Sequence, residues 1–289
     1  MTNSKTILVT GATGQQGGAT ARYLLGKGFQ VRAFVRNPNA PAAQQLANAG
    51  AKLIVGNMDE RESLDEAMRD VHGVYSIQPS LLPPDFAENE LQRGINVADA
   101  ALAAGVHHVV FASVGSVDRN TGIPHWEIKW QVEQYIRKLG LPATFLRPTM
   151  FMENFADATW GPKRNYSVLA QIPPDEAVQL IALEDIGAMA ALVFQHPERF
   201  IGHAIELAGD ELTLGQILSA INHWTGVKLE GHAKPSNRAI DGNNGIVRYS
   251  DWQADIPALQ AMYPFLMNFD TWLSRGGALK IKDMLAFTP

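Results

Sequence analysis

The sequence contains no cysteine among its 289 residues. Disulfide bonds, thiolate metal sites and cysteine nucleophiles are therefore excluded. Its eight histidines show neither the His-Glu-x-x-His pattern nor a similar ligand spacing, so we expect no metal centre. Internal repeats and low-complexity runs are missing as well. Because 46% of the residues are apolar, the chain is long and apolar enough to form a large folded core.

Long apolar runs and basic clusters are also absent. No segment reaches the roughly 18 consecutive apolar residues of a membrane-spanning helix, and residues 1–5 carry no signal-peptide pattern. The 24 lysines and arginines are scattered among 29 acidic residues, and the formal net charge is −5. We therefore expect a cytoplasmic protein without a membrane segment, and the charge argues against a nucleic-acid partner. The oligomeric state is left open.

The most informative stretch is a glycine-rich turn near the N-terminus. Residues 7–9 are apolar and predict a buried strand. Gly11, Gly14 and Gly17 follow at G-x-x-G-x-x-G spacing and lead into a helical pattern. This spacing differs by one residue from a dinucleotide-binding fingerprint and leaves room for the backbone N–H of Thr13 to reach a phosphate. Glycine turns also occur without a ligand, so the position between strand and helix carries the prediction.

The residue after the second predicted strand, at 29–35, bears on the type of dinucleotide. Arg36 stands there, and no Asp or Glu occurs between Phe29 and Asp59. An arginine can pair with the 2′-phosphate of NADP, whereas an acidic side chain would bind the ribose hydroxyls of NAD. We therefore favour NADP over NAD, although a solvated loop cation would fit the sequence too.

Strand and helix patterns alternate through the first half of the chain. Strands are predicted at residues 7–9, 29–35, 52–55, 74–77, 106–112 and 141–148. This alternation predicts an α/β fold with a doubly wound parallel sheet, whose ligands bind beyond the carboxyl ends of the strands. Gln78, at the end of the fourth strand, is predicted to contact the cofactor. Asn57 and Met58, after the third strand, lie where an adenine would bind, or they form a plain turn with a core methionine.

The fifth strand leads into the segment that carries the candidate chemistry. Ser113 ends this strand, and His125 and Lys129 open the next helix on one face, four residues apart. One side chain can then donate a proton while the other binds a ribose, and Ser113 can orient a substrate. The alternative is that His125 is a partly exposed helix-start residue and Lys129 is an ordinary surface cation.

A dense apolar stretch follows the sixth strand, where the regular alternation ends. Met150, Phe151 and Phe155 emerge from the carboxyl edge of the sheet, on which a nicotinamide and its substrate would lie. We predict that they contact the substrate, with core packing as the alternative. Further strands are expected at residues 178–182 and 204–208, and Thr213 is expected to cap a helix that runs to Gly226.

With these blocks in place, the sequence resembles the NmrA-like family, an atypical branch of the short-chain dehydrogenases/reductases. The resemblance rests on blocks that occur together in this order along most of the chain. They are the loop from Gly11, Val35-Arg36-Asn37, the strand ending at Ser113, Leu146-Arg147-Pro148, residues 151–155, Glu184-Asp185-Ile186-Gly187, and residues 206–213. The family implies a Rossmann domain at 1–150 and a smaller α/β substrate-binding lobe at 151–289, with segments near 178–208 returning to the first domain.

The resemblance also implies roles for individual residues. It assigns the pyrophosphate to a set in the glycine loop, namely Gly11, Gly14, Gln15, Gln16 and Gly17. By the same resemblance Arg36 binds the adenosine end, Asn57 and Met58 bind the adenine, and Lys129 binds the nicotinamide ribose.

One position departs from the wider enzyme group. Short-chain dehydrogenases with a Tyr-x-x-x-Lys pair exchange a proton through the tyrosine, and here His125 takes its place. Imidazole can still perform acid–base chemistry near neutral pH. The change favours an NAD(P)H-dependent reductase of a flat, conjugated acceptor such as a quinone. The alternatives are a non-catalytic sensor of NADP(H) and an oxygenase-like enzyme that tailors an aromatic natural product.

Overall fold

The strands of the protein form two sheets. The computed structural model describes residues 5–79, 86–162, 167–170, 172–174, 176–230 and 251–286. In chain order the strands are β1 (Thr6–Val9), β2 (Gln30–Val35), β3 (Lys52–Val55), β4 (Gly73–Ser76), β5 (His108–Ala112), β6 (Ala143–Pro148), β7 (Met150–Phe151), β8 (Ala177–Ile181), β9 (Ala204–Leu207) and β10 (Asp210–Thr213).

The main sheet has seven parallel strands in the order β3-β2-β1-β4-β5-β6-β9. From β1 successive strands are added toward one edge of the sheet, and from β4 they are added toward the other edge. In open α/β sheets such a reversal leaves a crevice at the carboxyl ends of the strands. The predicted Rossmann-type, doubly wound sheet is confirmed. Because β1 borders this crevice, the glycine turn that follows β1 lies at the crevice.

Helices cover both faces of this sheet because its strands are apolar on both sides. In chain order the helices are α1 (Gln15–Gly26), α2 (Pro41–Asn48), α3 (Arg61–Ala67), α4 (Phe86–Ala103), α5 (Pro124–Lys138), α6 (Leu183–Gln195), α7 (Pro197–Phe200), α8 (Leu214–Thr225), α9 (Ile256–Met262), α10 (Phe269–Trp272) and α11 (Ala278–Ala286). Ile7 and Val9 belong to the core under α1, α2 and α6, whereas Leu8 faces α3, α4 and α5.

Helix α6 lies directly against α1, and one glycine makes this possible. A Cβ atom on Gly187 would lie 2.8 Å from the carbonyl oxygen of Ala19. Only a residue without a side chain allows the two backbones to approach this closely. The Glu184-Asp185-Ile186-Gly187 block therefore fixes the helix that supports the glycine turn.

A second sheet of three strands, in the order β10-β8-β7, belongs to a separate apolar core. Strand β8 pairs antiparallel with β10 and parallel with β7. Within residues 178–208, α6 and β9 pack on the main sheet, whereas β8 lies in the smaller sheet. The first strand of the smaller sheet, β7, thus follows directly after β6.

The helix predicted after Thr213 is confirmed. Thr213 accepts a hydrogen bond from the backbone N–H of Gln216, and the Gln216 side chain accepts from the Thr213 N–H. This reciprocal cap satisfies two free backbone donors. The helix ends at Gly226, which has a φ of +69°. The sequence did not assign α9 and α10, which begin at the side-chain caps Asp255 and Asn268.

Two kinds of feature are absent from the described ranges of the chain. None of the helices there is long and apolar enough to cross a bilayer. The same residues contain no group of three or more metal-ligating side chains.

Candidate functional site

A cavity of about 670 Å³ opens at the carboxyl edge of the main sheet, between the two lobes. It extends from the glycine turn after β1 to the start of the smaller lobe. Most of the residues that the sequence singles out contribute to its walls, namely Gly11, Thr13, Gly14, Gln15, Gln16, Gly17, Arg36, Gln78, Ser113, His125, Lys129, Met150 and Phe151. The fold therefore brings together residues from the segments that follow β1, β2, β4, β5 and β6.

The glycine turn is compact because its backbone folds onto itself. Gly11 has a φ of +54°, and its carbonyl oxygen accepts a hydrogen bond of 2.9 Å from the N–H of Gly14. A Cβ atom on Gly17 would lie 2.3 Å from that same oxygen. No side chain caps α1 at Gly14, and its first turn carries no acidic residue. The N-terminal N–H groups of α1 are thus directed to the cavity, as in anion-binding sites.

The Gln16 side chain points into the protein and fixes this turn from below. Its Nε2 donates a hydrogen bond of 3.0 Å to the hydroxyl of Tyr75, which is fully buried at the end of β4. Burial raises the pKa of Tyr75 to about 12, so the phenol stays neutral. Gln16 therefore contributes its backbone to the cavity and uses its amide to tie α1 to β4.

Two buried polar atoms on the cavity wall have no partner among the described residues. They are Ser113 Oγ and Gln78 Oε1, and both side chains are more than nine-tenths buried. Ser76 is paired with Phe111 in the β4–β5 register. Gln78 and Ser113 each come two residues after this pair, so they lie at neighbouring strand ends. Gln78 donates its Nε2 to Ser76 Oγ, which leaves its carbonyl oxygen free. Buried polar atoms of this kind are normally satisfied, so a polar ligand fits here.

Lys129 lies on the cavity wall with only 13% of its side chain exposed. Its Nζ is 2.9 Å from Glu90 Oε1 and donates a longer hydrogen bond of 3.3 Å to the carbonyl oxygen of Ala112. His125 stands one turn earlier on α5 and also lines the cavity. Glu90 was not identified from the sequence. Its partner lies on another helix, and no local pattern marks such a pair.

A buried ion-pair network fastens α5 to the sheet. Arg147 on β6 donates to both carboxylate oxygens of Glu133, at 3.0 and 2.8 Å, and to Asp118 at 2.6 Å. Bidentate pairs of this type fix both distance and orientation. Glu133 follows His125 and Lys129 at a spacing of four residues, so Arg147 of the Leu146-Arg147-Pro148 block holds the helix that carries both.

Three tryptophans form an aromatic part of the wall. Trp126, Trp160 and Trp252 line the cavity, and the rings of Trp126 and Trp252 are stacked with centroids 6.0 Å apart and planes at 28°. The sequence analysis predicted no site role for these three tryptophans. Trp126 directly follows His125, so its position in the sequence could have indicated it. Trp160 and Trp252 lie in irregular segments that carry no periodic signal.

Trp252 is held against the cavity by a carboxylate from the main sheet. Glu206 on β9 accepts hydrogen bonds from the backbone N–H groups of Ser116 and Gln253, at 3.0 and 2.8 Å. It also forms an ion pair of 2.8 Å with Arg119. The block that begins at Glu206 thus joins the loop after β5 to the residue that follows Trp252.

Three predicted site residues lie elsewhere in the described structure. The Asn57 side chain closes its own turn by accepting from the N–H of Asp59, and Met58 is buried in the core under α3 and α4. Phe155 is fully buried and packs edge-to-face on Phe269, with ring centroids 5.2 Å apart. Residues 57–58 thus match the plain turn with a core methionine, and Phe155 matches core packing.

The comparisons with known proteins agree with this architecture. A model of the NmrA-like family matches residues 3–242. A relative from Aspergillus hancockii, the NmrA-like family domain-containing oxidoreductase hkm9, is 31% identical over 261 residues, which cover 78% of this chain and 74% of the relative.

Solved structures share the fold at lower identity. The structure of NmrA, a negative transcriptional regulator, in complex with NAD gives a TM-score of 0.79 at 20% identity and covers 99% of this chain and 98% of that one. The NADPH-dependent quinone oxidoreductase QOR2 of Escherichia coli, complexed with NADPH, gives 0.70 at 23% identity, with 93% and 99% covered. The family match spans most of the sequence, and the chain therefore belongs to the NmrA-like family.

Proposed function

We propose that the protein is an NADP(H)-dependent reductase that delivers hydride to a flat, conjugated acceptor such as a quinone. The observation that carries this proposal is that a single cavity extends from the glycine turn, which has the geometry of a phosphate-binding loop, to a wall lined by tryptophans. A dinucleotide and an aromatic acceptor can therefore meet in it. A related oxidoreductase and a similarly folded quinone oxidoreductase support the same reaction class.

The residues present fit a nicotinamide dinucleotide. The uncapped N-terminus of α1 and the close approach of Gly17 to Gly11 leave bare backbone for a pyrophosphate. Further along the cavity, Gln78 Oε1 is a buried polar atom that a ribose or a carboxamide can satisfy. The similarly folded NmrA and QOR2 were solved with NAD and NADPH, respectively.

Arg36 favours NADP over NAD. Its side chain is exposed at the end of β2 and borders the cavity beside the glycine turn. A guanidinium at this place can pair with a 2′-phosphate, and β2 offers no acidic residue for the ribose hydroxyls of NAD.

Each residue near the aromatic wall has a proposed task. A nicotinamide held in this cavity would supply hydride, and a quinone acceptor would need one proton in addition to become the hydroquinone. His125 is the proposed proton donor, and Lys129 the proposed ribose ligand. Ser113 orients the substrate. The Trp126–Trp252 pair, with Met150 and Phe151 as further predicted contacts, packs on the flat acceptor.

An assay of NADPH oxidation tests the proposal. Quinones, enones and aromatic dyes are supplied one at a time, and loss of NADPH absorbance is followed with and without protein. We expect at least one flat acceptor to be reduced faster than in the control without enzyme. If every acceptor reacts at the control rate, the proposal is rejected.

Variants of the candidate residues sharpen this test. We expect His125→Ala to lower turnover by about a hundredfold, which is typical for loss of a general acid, with little change in NADPH affinity. Lys129→Ala should lower turnover and, in addition, weaken NADPH binding. His223→Ala is a matched control, because His223 on α8 precedes a tryptophan in the same edge-to-face geometry but lies outside the cavity. Unchanged kinetics in both cavity variants would remove these residues from the mechanism.

A second candidate function is a non-catalytic sensor of NADP(H). It is favoured by His125 at the tyrosine position and by the structural likeness to NmrA, a negative transcriptional regulator. A sensor would bind NADPH without turnover and change its oligomeric state or a protein contact on binding. Identical elution and pull-down results with and without NADPH would reject this candidate.

A further inference from the structure

The carboxylate of Glu90, which contacts a lysine on the cavity wall, has no role in the proposed reaction. Glu90 lies on α4 and is only 1% exposed. Its Oε1 is 2.9 Å from Lys129 Nζ, which borders the cavity. Neither of its oxygens has a partner with hydrogen-bond geometry within the described part of the chain. A carboxylate in this environment is costly to bury, so its presence calls for a physical reason.

Stability does not supply that reason. Moving a carboxylate out of water costs several kcal/mol, and a buried ion pair returns this cost only when its geometry is favourable. Replacement of such a pair by apolar groups of similar volume is often neutral or stabilising. Methionines at both positions 90 and 129 would therefore serve the packing of α4 on α5 at least as well.

The packing of α4 on α5 is arranged so that this pair can form. One turn after Glu90, a Cβ atom on Gly94 would lie only 2.6 Å from Val132 Cγ2 on α5. The absence of a side chain at Gly94 thus lets the helices approach closely just beyond the ion pair. Further along the same contact, Tyr135 donates a hydrogen bond of 2.8 Å to Asp99.

We infer that Glu90 is a positioning residue for Lys129. An ammonium group has three N–H donors on a flexible stem. Glu90 holds the ammonium by charge at 2.9 Å and the carbonyl of Ala112 accepts one N–H, so the group is held in place with donors left for the cavity. The stem is then ordered before a ligand arrives, so its rotamer entropy is not lost again on binding. This role rests on the proposed function, in which Lys129 binds the ribose of NADP(H).

A double-mutant cycle read by NADPH affinity tests the inference. The dissociation constant is measured by fluorescence titration for wild type, Glu90→Gln, Lys129→Met and the double variant. We expect each single substitution to weaken binding by on the order of tenfold, as for loss of a charged hydrogen bond. The double variant should bind no more weakly than Lys129→Met, because Glu90 acts through Lys129.

Two further variants separate positioning from structure. The double variant Glu90→Met with Lys129→Met replaces both partners and should unfold at the same temperature as wild type or higher, yet bind NADPH as weakly as Lys129→Met. Asp99→Asn removes another carboxylate that joins α4 to α5, outside the cavity, and should leave NADPH binding unchanged.

Three results would overturn the inference. The first is wild-type affinity for NADPH in Glu90→Gln. The second is a double variant whose affinity is about a hundredfold below wild type, because the two single losses multiply. The third is a loss of affinity in Asp99→Asn as large as that in Glu90→Gln. If wild type itself fails to bind NADPH, the proposed function falls and takes this role with it. If wild type binds and Glu90→Gln binds equally well, only the role of Glu90 falls.

Discussion

At Gly17, the glycine turn leaves no room for a side chain. The nearest atom to an added Cβ is the Gly11 carbonyl oxygen at 2.3 Å, and this oxygen also accepts the hydrogen bond from Gly14. Backbone atoms cannot move aside as a flexible side chain can. A methyl group here must therefore separate α1 from the turn that forms the proposed pyrophosphate cradle.

We expect Gly17→Ala to weaken NADPH binding by about tenfold or more and to lower the melting temperature, because overpacking costs typically 1–3 kcal/mol. Gly26→Ala is the matched control on the same helix, since an added Cβ there meets no atom within 4 Å. It should keep the affinity and gain up to about 1 kcal/mol from helix propensity. Equal behaviour of the two variants would contradict the cradle geometry.

Among the elements, α6 joins the two lobes through buried carboxylates. Glu153 accepts hydrogen bonds from the Leu183 N–H at 3.1 Å and from Trp272 Nε1 at 3.0 Å. Asp185 accepts a hydrogen bond of 2.9 Å from the Met267 N–H. Burial raises the pKa of Asp185 to about 7, with the nearby charges of Glu184 and Glu153 adding to the shift. These contacts give the Glu184-Asp185-Ile186-Gly187 block a structural role.

The raised pKa of Asp185 predicts a dependence of stability on pH. Between about pH 4 and pH 7 the folded state holds a proton that the unfolded chain, with an aspartate pKa of about 3.9, has released. This stabilisation is complete below pH 4 and is lost as the pH rises through 7. Chemical denaturation at pH 5 and pH 8 should show a drop for wild type that exceeds the drop for Asp185→Asn by about 2.5 kcal/mol. Equal drops would contradict the assignment.

On the scale of the whole molecule, local patterns predicted the main sheet but not the partners of every element. Apolar runs and helix caps identify β1 to β6 and α8 because these signals lie within one segment. The strand pattern at 178–182 is equally clear, yet it does not state which sheet β8 joins. That choice depends on pairing with β7 and β10, which lie elsewhere in the sequence and come next to β8 only when the chain folds.

The candidate site shows the same division. The glycine turn, Arg36 and the His125–Lys129 pair were visible because spacing and position after a strand mark them. Glu90 and Trp252 were not, since each meets its partner across distant parts of the chain. Phe155 was assigned to the substrate because apolar density alone does not distinguish a pocket from a core, and the structure buries it against Phe269.

A crystal structure of the protein with bound NADPH tests the central claim most directly. The account predicts the pyrophosphate against the turn of Gly11, Gly14 and Gly17, the 2′-phosphate beside Arg36, and the nicotinamide ribose at Lys129. One face of the nicotinamide should be open to a space bounded by Trp126 and Trp252. NADPH bound elsewhere would contradict the dinucleotide site, and a nicotinamide covered by protein on both faces would contradict hydride delivery to an acceptor.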